Sequence, residues 1–134
     1  MNADYPLTPL TEQVIAASYR VHNTLGAGFV ESVYLRALCV ELGLVGISAQ
    51  PQLPITVTYR DHIVGEFRAD LLVAHELIVE VKAVNDIVPA HEIQLLNYLH
   101  ATGKSVGLLI NFGRSVQVRR KIQTNNLRKS AQSA

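Results

Sequence analysis

The stretch VGEFRADLLV, AHE, LIVEVK, which covers residues 64–82, decides the fold of this chain. Its two outer parts, 64–73 and 77–82, are rich in β-branched and other apolar residues, and the short piece 74–76 between them is typical of a tight turn. The pattern predicts two antiparallel strands joined as a β-hairpin. The second strand carries Glu80 and Lys82 directly after an apolar run that is typical of a buried central strand.

The length of the turn determines which side chains of this hairpin lie together. A three-residue turn centred on His75 predicts three facing pairs: Leu71 with Val79, Asp70 with Glu80, and Arg68 with Lys82. Because side chains alternate between the faces of a strand, Asp70, Glu80 and Lys82 then share one face, with the Cβ atoms of the two acidic residues roughly 5 Å apart. A turn with an even number of residues would instead send Glu80 to the opposite face.

The charges on that face have two interpretations. Facing carboxylates repel each other, and either the Lys82 ammonium or a divalent ion with oxygen ligands would compensate them. A strand with charges on its solvated side needs no such explanation, and a Glu-x-Lys pair is common by chance. Charges that interrupt an apolar run are costly to bury unless they are used, which favours a metal site at Asp70 and Glu80.

The length and composition fit one domain. The chain has 134 residues, of which 49% are hydrophobic, and this is enough for a single compact core. With one cysteine, Cys39, the chain can form neither an internal disulfide nor a cysteine-based zinc cluster. The first residues lack the features of a signal peptide, and no apolar run approaches the ~20 residues of a membrane span. We therefore expect a cytoplasmic protein that does not bind a membrane.

The charges are unevenly distributed along the chain, although the net charge is only +1. Every acidic residue lies at or before Glu92, and every Lys or Arg after that point adds to a positive C-terminal part. Such asymmetry is typical of a basic end that contacts phosphate while an acidic part holds a metal, but an ordinary basic tail fits it equally well.

Apolar spacing and turn residues predict the order of the elements. A helix is expected from Thr8 to about Leu25 and a second one over about 30–42, with glycines after each as stop signals. A loop is expected over 46–54 and a third helix near 89–102. The expected strands are 55–59, 64–73, 77–82, 105–112 and 116–120. This order, ααβββαββ, predicts an α/β fold with a mixed central sheet of about five strands flanked by helices.

Residues 28–34 contain the pattern G-x-x-E-x-x-Y, formed by Gly28, Glu31 and Tyr34. Four further blocks follow it: RADLL (68–72), VEVK (79–82), QLLNYL (94–99) and GLLINFG (107–113). In this order and combination, the blocks resemble the GxxExxY protein family over about residues 10–122. Ala69 stands where the PD-(D/E)xK nucleases, to which this family is related, usually have proline.

The GxxExxY family is placed in the PD-(D/E)xK nuclease superfamily, together with restriction endonucleases and RecB-like nuclease domains. The resemblance implies a restriction-endonuclease-like fold in a single nuclease-like domain over residues 1–134. The core of that domain would cover about 10–122, and a basic polar tail would cover 123–134.

The resemblance also implies a metal centre. Asp70 would be the motif aspartate, Glu80 the second acidic ligand and Lys82 the catalytic lysine. The carbonyl of Val81 would complete the ligands of Mg²⁺ or Mn²⁺, and Glu31 would be the acidic residue that the first core helix contributes to the catalytic set.

Gln94 and Tyr98 look like the Q-x-x-x-Y element of RecB-like members, in which both residues position the substrate. They are four residues apart, so they share one face of the predicted helix. A structural role for Gln94, such as capping a strand carbonyl, is the alternative. Four basic residues are candidates for contacts with a nucleic-acid backbone: Lys104, Arg114, Arg119 and Arg120.

The sequence therefore predicts a metal-dependent nuclease that acts on nucleic acid, with DNA favoured over RNA. Since 134 residues leave little room for a separate recognition domain, a homodimer or a partner protein is expected to help select the substrate. The alternative from another class is a non-catalytic nucleic-acid-binding or assembly module that retains the nuclease fold. The chain contains no G-x-x-x-x-G-K-[ST] phosphate loop, which argues against a nucleotide-driven motor.

Overall fold

The computed structural model describes residues 7–123, which contain three helices and five strands. The helices are α1 (Thr8–Leu25), α2 (Glu31–Leu44) and α3 (Pro89–Thr102). The strands are β1 (Ala49–Tyr59), β2 (His62–Val73), β3 (Leu77–Lys82), β4 (Val106–Phe112) and β5 (Val116–Ile122). The predicted order of elements is confirmed. The predicted basic tail lies outside the described residues, except for Gln123. No helix within 7–123 combines the length and the apolar character needed to cross a membrane.

The strands form one mixed sheet in the order β1-β2-β3-β4-β5. β3 and β4 run parallel, whereas the other neighbouring strands are antiparallel. Parallel neighbours cannot be joined by a tight turn, and α3 supplies the crossover between them. The α/β fold with a mixed, five-stranded, restriction-endonuclease-like sheet confirms the predicted fold class.

Two apolar cores cover the two faces of the sheet. On one face, α1 and α2 pack buried side chains such as Val14 and Leu38 against the strands. On the other face, α3 contributes Leu95 and Leu99. The central strands are therefore buried on both faces, which explains why β3 and β4 consist largely of uninterrupted apolar residues. Each fully buried leucine stabilises the fold by roughly 1.5–3 kcal/mol.

The hairpin of β2 and β3 has the predicted three-residue turn but a shorter ladder than predicted. The ladder consists of three pairs: Leu71 with Val79, Leu72 with Ile78, and Val73 with Leu77. The first of these is the predicted pair. The expected ladder pairs of Asp70 with Glu80 and of Arg68 with Lys82 do not form, because β2 pairs with β3 only from Leu71 onward and its earlier residues pair with β1 alone.

β1 begins at Ala49, so the loop predicted over 46–54 is wrong. Pro51 and Pro54 lie within this stretch, and a proline lacks a backbone N–H and weakens a strand in the middle of a sheet. β1 is an edge strand, where a proline can direct its missing donor towards solvent without breaking the ladder. α2 also continues through Gly43 to Leu44, whereas the glycine was predicted to end it.

Candidate active site

Asp70 lies at the point where β2 leaves β3. Ala69 and Leu71 are two residues apart, yet Ala69 belongs to the core beneath α3 and Leu71 to the core beneath α1 and α2. The alternation of faces therefore shifts by one residue at Asp70. On β1, Gln52 lies between the partners of Ala69 and Leu71, and its φ of 58° marks the same irregularity. At this end of the sheet, β2 and β3 are no longer paired, which leaves a gap between Asp70 and Glu80 on the two strands.

The side chains of Asp70 and Glu80 replace the hydrogen bonds that the ladder loses there. The backbone N–H of Asp70 donates to Oε2 of Glu80 at 2.8 Å, and the backbone N–H of Val81 donates to Oδ2 of Asp70 at 2.7 Å. Two N–H groups that have lost strand carbonyls as partners are satisfied in this way. Each carboxylate is thus bound by the strand of the other, which holds both in the gap.

Glu80 is buried, with 4% of its surface exposed. The pKa of its carboxyl is raised to about 8, first by burial and second by the negative charge of Asp70, while the Asp70 N–H and the Lys82 ammonium oppose the rise. A hydrogen bond with the Asp70 carboxyl raises the pKa as well, because it favours the protonated form. Without a cation between them, Glu80 therefore holds a proton at neutral pH.

Glu31, the first residue of α2, lies in the field of the same groups. Burial raises the pKa of its carboxyl, the charge of Asp70 raises it further, and the Lys82 ammonium lowers it. Glu31 is not a close third ligand: among residues 7–123, no three His, Cys, Asp or Glu side chains converge into a metal-binding cluster. The N-terminus of a helix favours a carboxylate at this position.

The loop before α2 explains how Glu31 is positioned. Gly28 has a φ of 110°, a conformation that favours glycine. The hydroxyl of Tyr34 accepts a hydrogen bond from the N–H of Phe29 at 3.2 Å and donates one to the carbonyl of Gly26. The Tyr34 ring is fully buried and stacks on an aromatic ring of β4 at a centroid distance of 4.7 Å. Tyr34 thus packs in the core and ties down the loop from which α2 starts.

A chain of hydrogen bonds holds the ammonium of Lys82. Its Nζ donates to Oε1 of Gln94 at 3.3 Å, and Nε2 of Gln94 donates to the hydroxyl of Tyr98 at 3.2 Å. Burial and then the charge of Glu80 raise the pKa of Tyr98. Both ends of the Gln94 amide are used within the site, which accounts for this residue without a strand-capping role.

Two of the four candidate cations lie at opposite ends of the sheet. Lys104 donates from Nζ to the carbonyl of His75 in the β2–β3 turn, at 3.0 Å, and thus lies at the far end of β3 from Lys82. Arg114 is exposed in the turn after β4. Since Lys82 pairs with Asn111 near the end of β4, Arg114 lies at the same end of the sheet as the site.

The other two cations, Arg119 and Arg120, are neighbours on β5 and therefore point to opposite faces of the sheet. The Lys121 ammonium, and to a smaller extent the charge of Arg119, lower the pKa of Glu92 on α3. Arg120 donates to the hydroxyl of Thr11 on α1 at 2.8 Å. The four candidates thus do not form one basic surface beside the carboxylates.

The sequence-based predictions missed Asn111, a fully buried polar residue of β4. Its amide oxygen accepts from the N–H of Val84 and its amide nitrogen donates to the carbonyl of Val84, both at 2.9 Å. The nitrogen also donates to Oε1 of Gln117 at 2.9 Å. Asn111 therefore fixes the segment that directly follows Lys82. Its signal in the sequence was a single polar residue within an apolar strand.

A groove beside the site was missed as well. It has a volume of about 640 Å³, lies between α3 and the β1–β2 hairpin, and is lined in part by Gln94 and Tyr98. Phe67 of β2 contributes to its wall and is 48% exposed, with its ring centroid 6.1 Å from that of Tyr98. Phe67 was the available signal in the sequence. It lies three positions before Asp70, on a strand that approaches a charged site, where a large aromatic side chain has little core to pack into.

Comparison with known proteins places the chain in a superfamily. The sequence profile of the PD-(D/E)XK nuclease superfamily matches residues 8–124, and the chain belongs to this superfamily. Proteins of this superfamily generally use divalent metals and act on nucleic acids. Comparison with curated proteins gave no match.

Two solved structures are similar to this chain. The crystal structure of SSO0001 has a TM-score of 0.55 and 16% sequence identity over 93% of this chain, which spans 64% of the length of that protein. An alkaline exonuclease from Laribacter hongkongensis, LHK-Exo, has a TM-score of 0.49 and 12% identity over 92% of this chain and 87% of its own. At 16% identity, the similarity to SSO0001 shows a shared fold alone.

Proposed function

We propose that this protein is a metal-dependent nuclease that hydrolyses phosphodiester bonds in DNA. The observation that carries the proposal is the pair of neighbouring carboxyls, Asp70 and Glu80, in the gap of the sheet with the Lys82 side chain beside them. Within the superfamily, we assign the chain to the GxxExxY proteins on the motif at 28–34, and to the RecB-like group on Gln94 and Tyr98.

The donors of the site fit a hard divalent ion such as Mg²⁺ or Mn²⁺, which prefers oxygen ligands. Asp70 and Glu80 would bind it directly together with the carbonyl of Val81, and Glu31 would act through water, because it does not join a close cluster. The raised pKa of Glu80 supports this assignment, since a buried carboxylate requires a nearby cation in order to ionise. When bound, the ion would polarise the scissile phosphate and lower the pKa of a coordinated water.

The remaining side chains would act on the substrate or position those that do. Lys82 would stabilise the negative charge that develops on the phosphate, and the hydrogen bond from its ammonium to Gln94 would hold it in position. Tyr98 would in turn orient Gln94. Arg114 would contact a backbone phosphate at the same end of the sheet. Lys104, Arg119 and Arg120 lie away from the carboxylates, so we assign them no phosphate contact at the site.

Cleavage assays on single- and double-stranded DNA with Mg²⁺ or Mn²⁺ test the proposal. Asp70→Ala and Lys82→Ala should each reduce the rate by about 100-fold or more, since each removes charge from the reacting centre. Glu76→Gln, in the exposed turn of the same hairpin, is the control for the loss of an acidic side chain and should cut at the wild-type rate. Unchanged cleavage by both Asp70→Ala and Lys82→Ala would rule out the assigned roles.

A further inference from the structure

The groove beside the site shares two side chains with it. Gln94 and Tyr98 line the groove and also form the hydrogen-bond chain that holds Lys82. From there the groove continues along α3 past Asn97, with strand residues such as Thr56 and Phe67 on its opposite wall. A molecule bound in the groove would therefore contact the residues that position the catalytic lysine.

The aromatic ring of Phe67 is held in place but remains exposed. A methyl group at position 65 would lie only 2.8 Å from Cε2 of Phe67, so the ring occupies the space above Gly65. The ring also lies near Tyr98, at an interplanar angle of 45°, yet it keeps 48% of its surface exposed. A ring that packs on a glycine and still faces an open groove can stack with a planar ligand.

The chemistry of the lining favours a nucleobase over a phosphate. The groove is lined by aromatic, aliphatic, hydroxyl, amide and imidazole side chains, and by no Asp, Glu, Lys or Arg. A track for the phosphate backbone needs cations, whereas a base needs a flat apolar face and polar groups at its edge. Phe67 provides the face, and Asn97 and Thr58 provide groups at the edge. Only an unpaired base exposes both of its faces for such a contact.

We infer that this groove binds an unpaired nucleobase of the substrate strand, stacked on Phe67, next to the nucleotide whose phosphate enters the site. The inference rests on the proposed function and deepens it, because it makes single-stranded nucleic acid the substrate of the same site.

The test measures binding of fluorescent oligothymidylate and of an abasic strand of equal length, by anisotropy, with Ca²⁺ in place of Mg²⁺ so that cleavage is suppressed. Wild type should bind the base-containing strand about tenfold more tightly than the abasic strand, which corresponds to ~1.4 kcal/mol. Phe67→Ala and Phe67→Leu should abolish this preference, and Phe67→Tyr should retain it. Leucine keeps apolar bulk above Gly65 but lacks a π face. Tyr19→Ala is the matched control: Tyr19 is 47% exposed on α1, beneath the opposite face of the sheet, and its loss should change nothing.

A preference that persists in Phe67→Ala would overturn the inference, and so would an equal loss of affinity for both strands, which would indicate a structural role. A dimeric wild type that becomes monomeric in Phe67→Ala would also overturn it, because the groove would then be covered by a second copy. Metal-dependent cleavage without any preference for bases would refute the groove alone. Base-dependent binding without cleavage would support the groove and contradict the nuclease.

Discussion

The pKa of the Glu80 carboxyl depends strongly on the surroundings of this residue. Burial first, and the charge of Asp70 second, raise its pKa from 4.5 to about 8. A carboxyl with a higher pKa in the folded than in the unfolded protein binds its proton more tightly when folded. Its contribution to the free energy of unfolding is therefore complete below about pH 4.5 and is lost as the pH rises through about 8.

In metal-free buffer, we expect the free energy of unfolding to fall between pH 5 and pH 8 by up to ~1.4 kcal/mol per pH unit because of Glu80. Glu80→Gln keeps an oxygen that can accept the hydrogen bond from the Asp70 N–H but does not titrate. Urea unfolding of both proteins across this pH range isolates the effect as a difference in slope. Parallel pH profiles would show that Glu80 does not hold the proton.

The sequence predicted that the carboxyls of Asp70 and Glu80 meet, because three turn residues determine the register next to Leu71 and Val79. It could not predict that the two side chains accept backbone hydrogen bonds from each other's strands. That arrangement requires β2 to leave β3 at Asp70, and the departure depends on β1, where Gln52 takes up a positive φ. A pairing rule for one hairpin contains no information about a third strand.

At the scale of elements, α2 brings Glu31 to the site through its first turn. The loop before it needs the left-handed backbone of Gly28 and the hydroxyl of Tyr34. The spacing of the G-x-x-E-x-x-Y motif thus has a mechanical basis: the glycine allows the turn, the tyrosine anchors it three residues after the glutamate, and the glutamate begins the helix. By itself, the sequence pattern showed only that these residues occur together.

Two glycine substitutions distinguish the contribution of the loop before α2 from that of the helix itself. Gly28→Ala should lower the free energy of unfolding by about 1 kcal/mol and reduce cleavage, because alanine is strained at a φ of 110°. Gly43→Ala lies within α2, where a Cβ meets no atom within 4 Å, and should instead raise stability by up to ~1 kcal/mol. Thermal and urea unfolding measure both. Equal effects of the two substitutions would contradict the assigned role of Gly28.

The helices and the inner strands could be predicted because their apolar spacing and stop signals agree with their final burial. The first half of β1 could not, since Pro51 and Pro54 argue against a strand unless the strand is known to lie at an edge. The role of Asn111 was also hidden, because its partners at Val84 become neighbours only after β4 joins β3.

At the scale of the whole molecule, an asymmetry of charge along the described residues does not become an asymmetry in space. Between Glu92 and Gln123, the cations are distributed over both ends and both faces of the sheet. Arg114 lies at the end that carries Lys82, whereas Lys104 is held at the β2–β3 turn. The order of residues gives the sign of the charges, but the topology decides which of them can act together.

These positions predict a difference in the salt dependence of DNA binding. Arg114→Ala should weaken binding and reduce the slope of log K against log salt by about one, as expected for the loss of one phosphate contact at the site. Lys104→Ala, at the opposite end, should leave the slope unchanged. Anisotropy titrations over a range of salt concentrations measure both slopes. A change of slope for Lys104 alone would place the DNA at the other end of the sheet.

Calorimetric titration of Mn²⁺ at pH 7, in buffers of different ionisation enthalpy, tests most directly whether Asp70 and Glu80 form a metal centre. Since Glu80 holds a proton in the absence of a cation, metal binding should release about one proton per ion. Binding should be lost in Asp70→Asn, lose its proton release in Glu80→Gln, and remain as in wild type in Glu76→Gln. Wild-type protein that binds no Mn²⁺, or that binds it equally well after both site substitutions, would contradict the metal centre and favour a non-catalytic module.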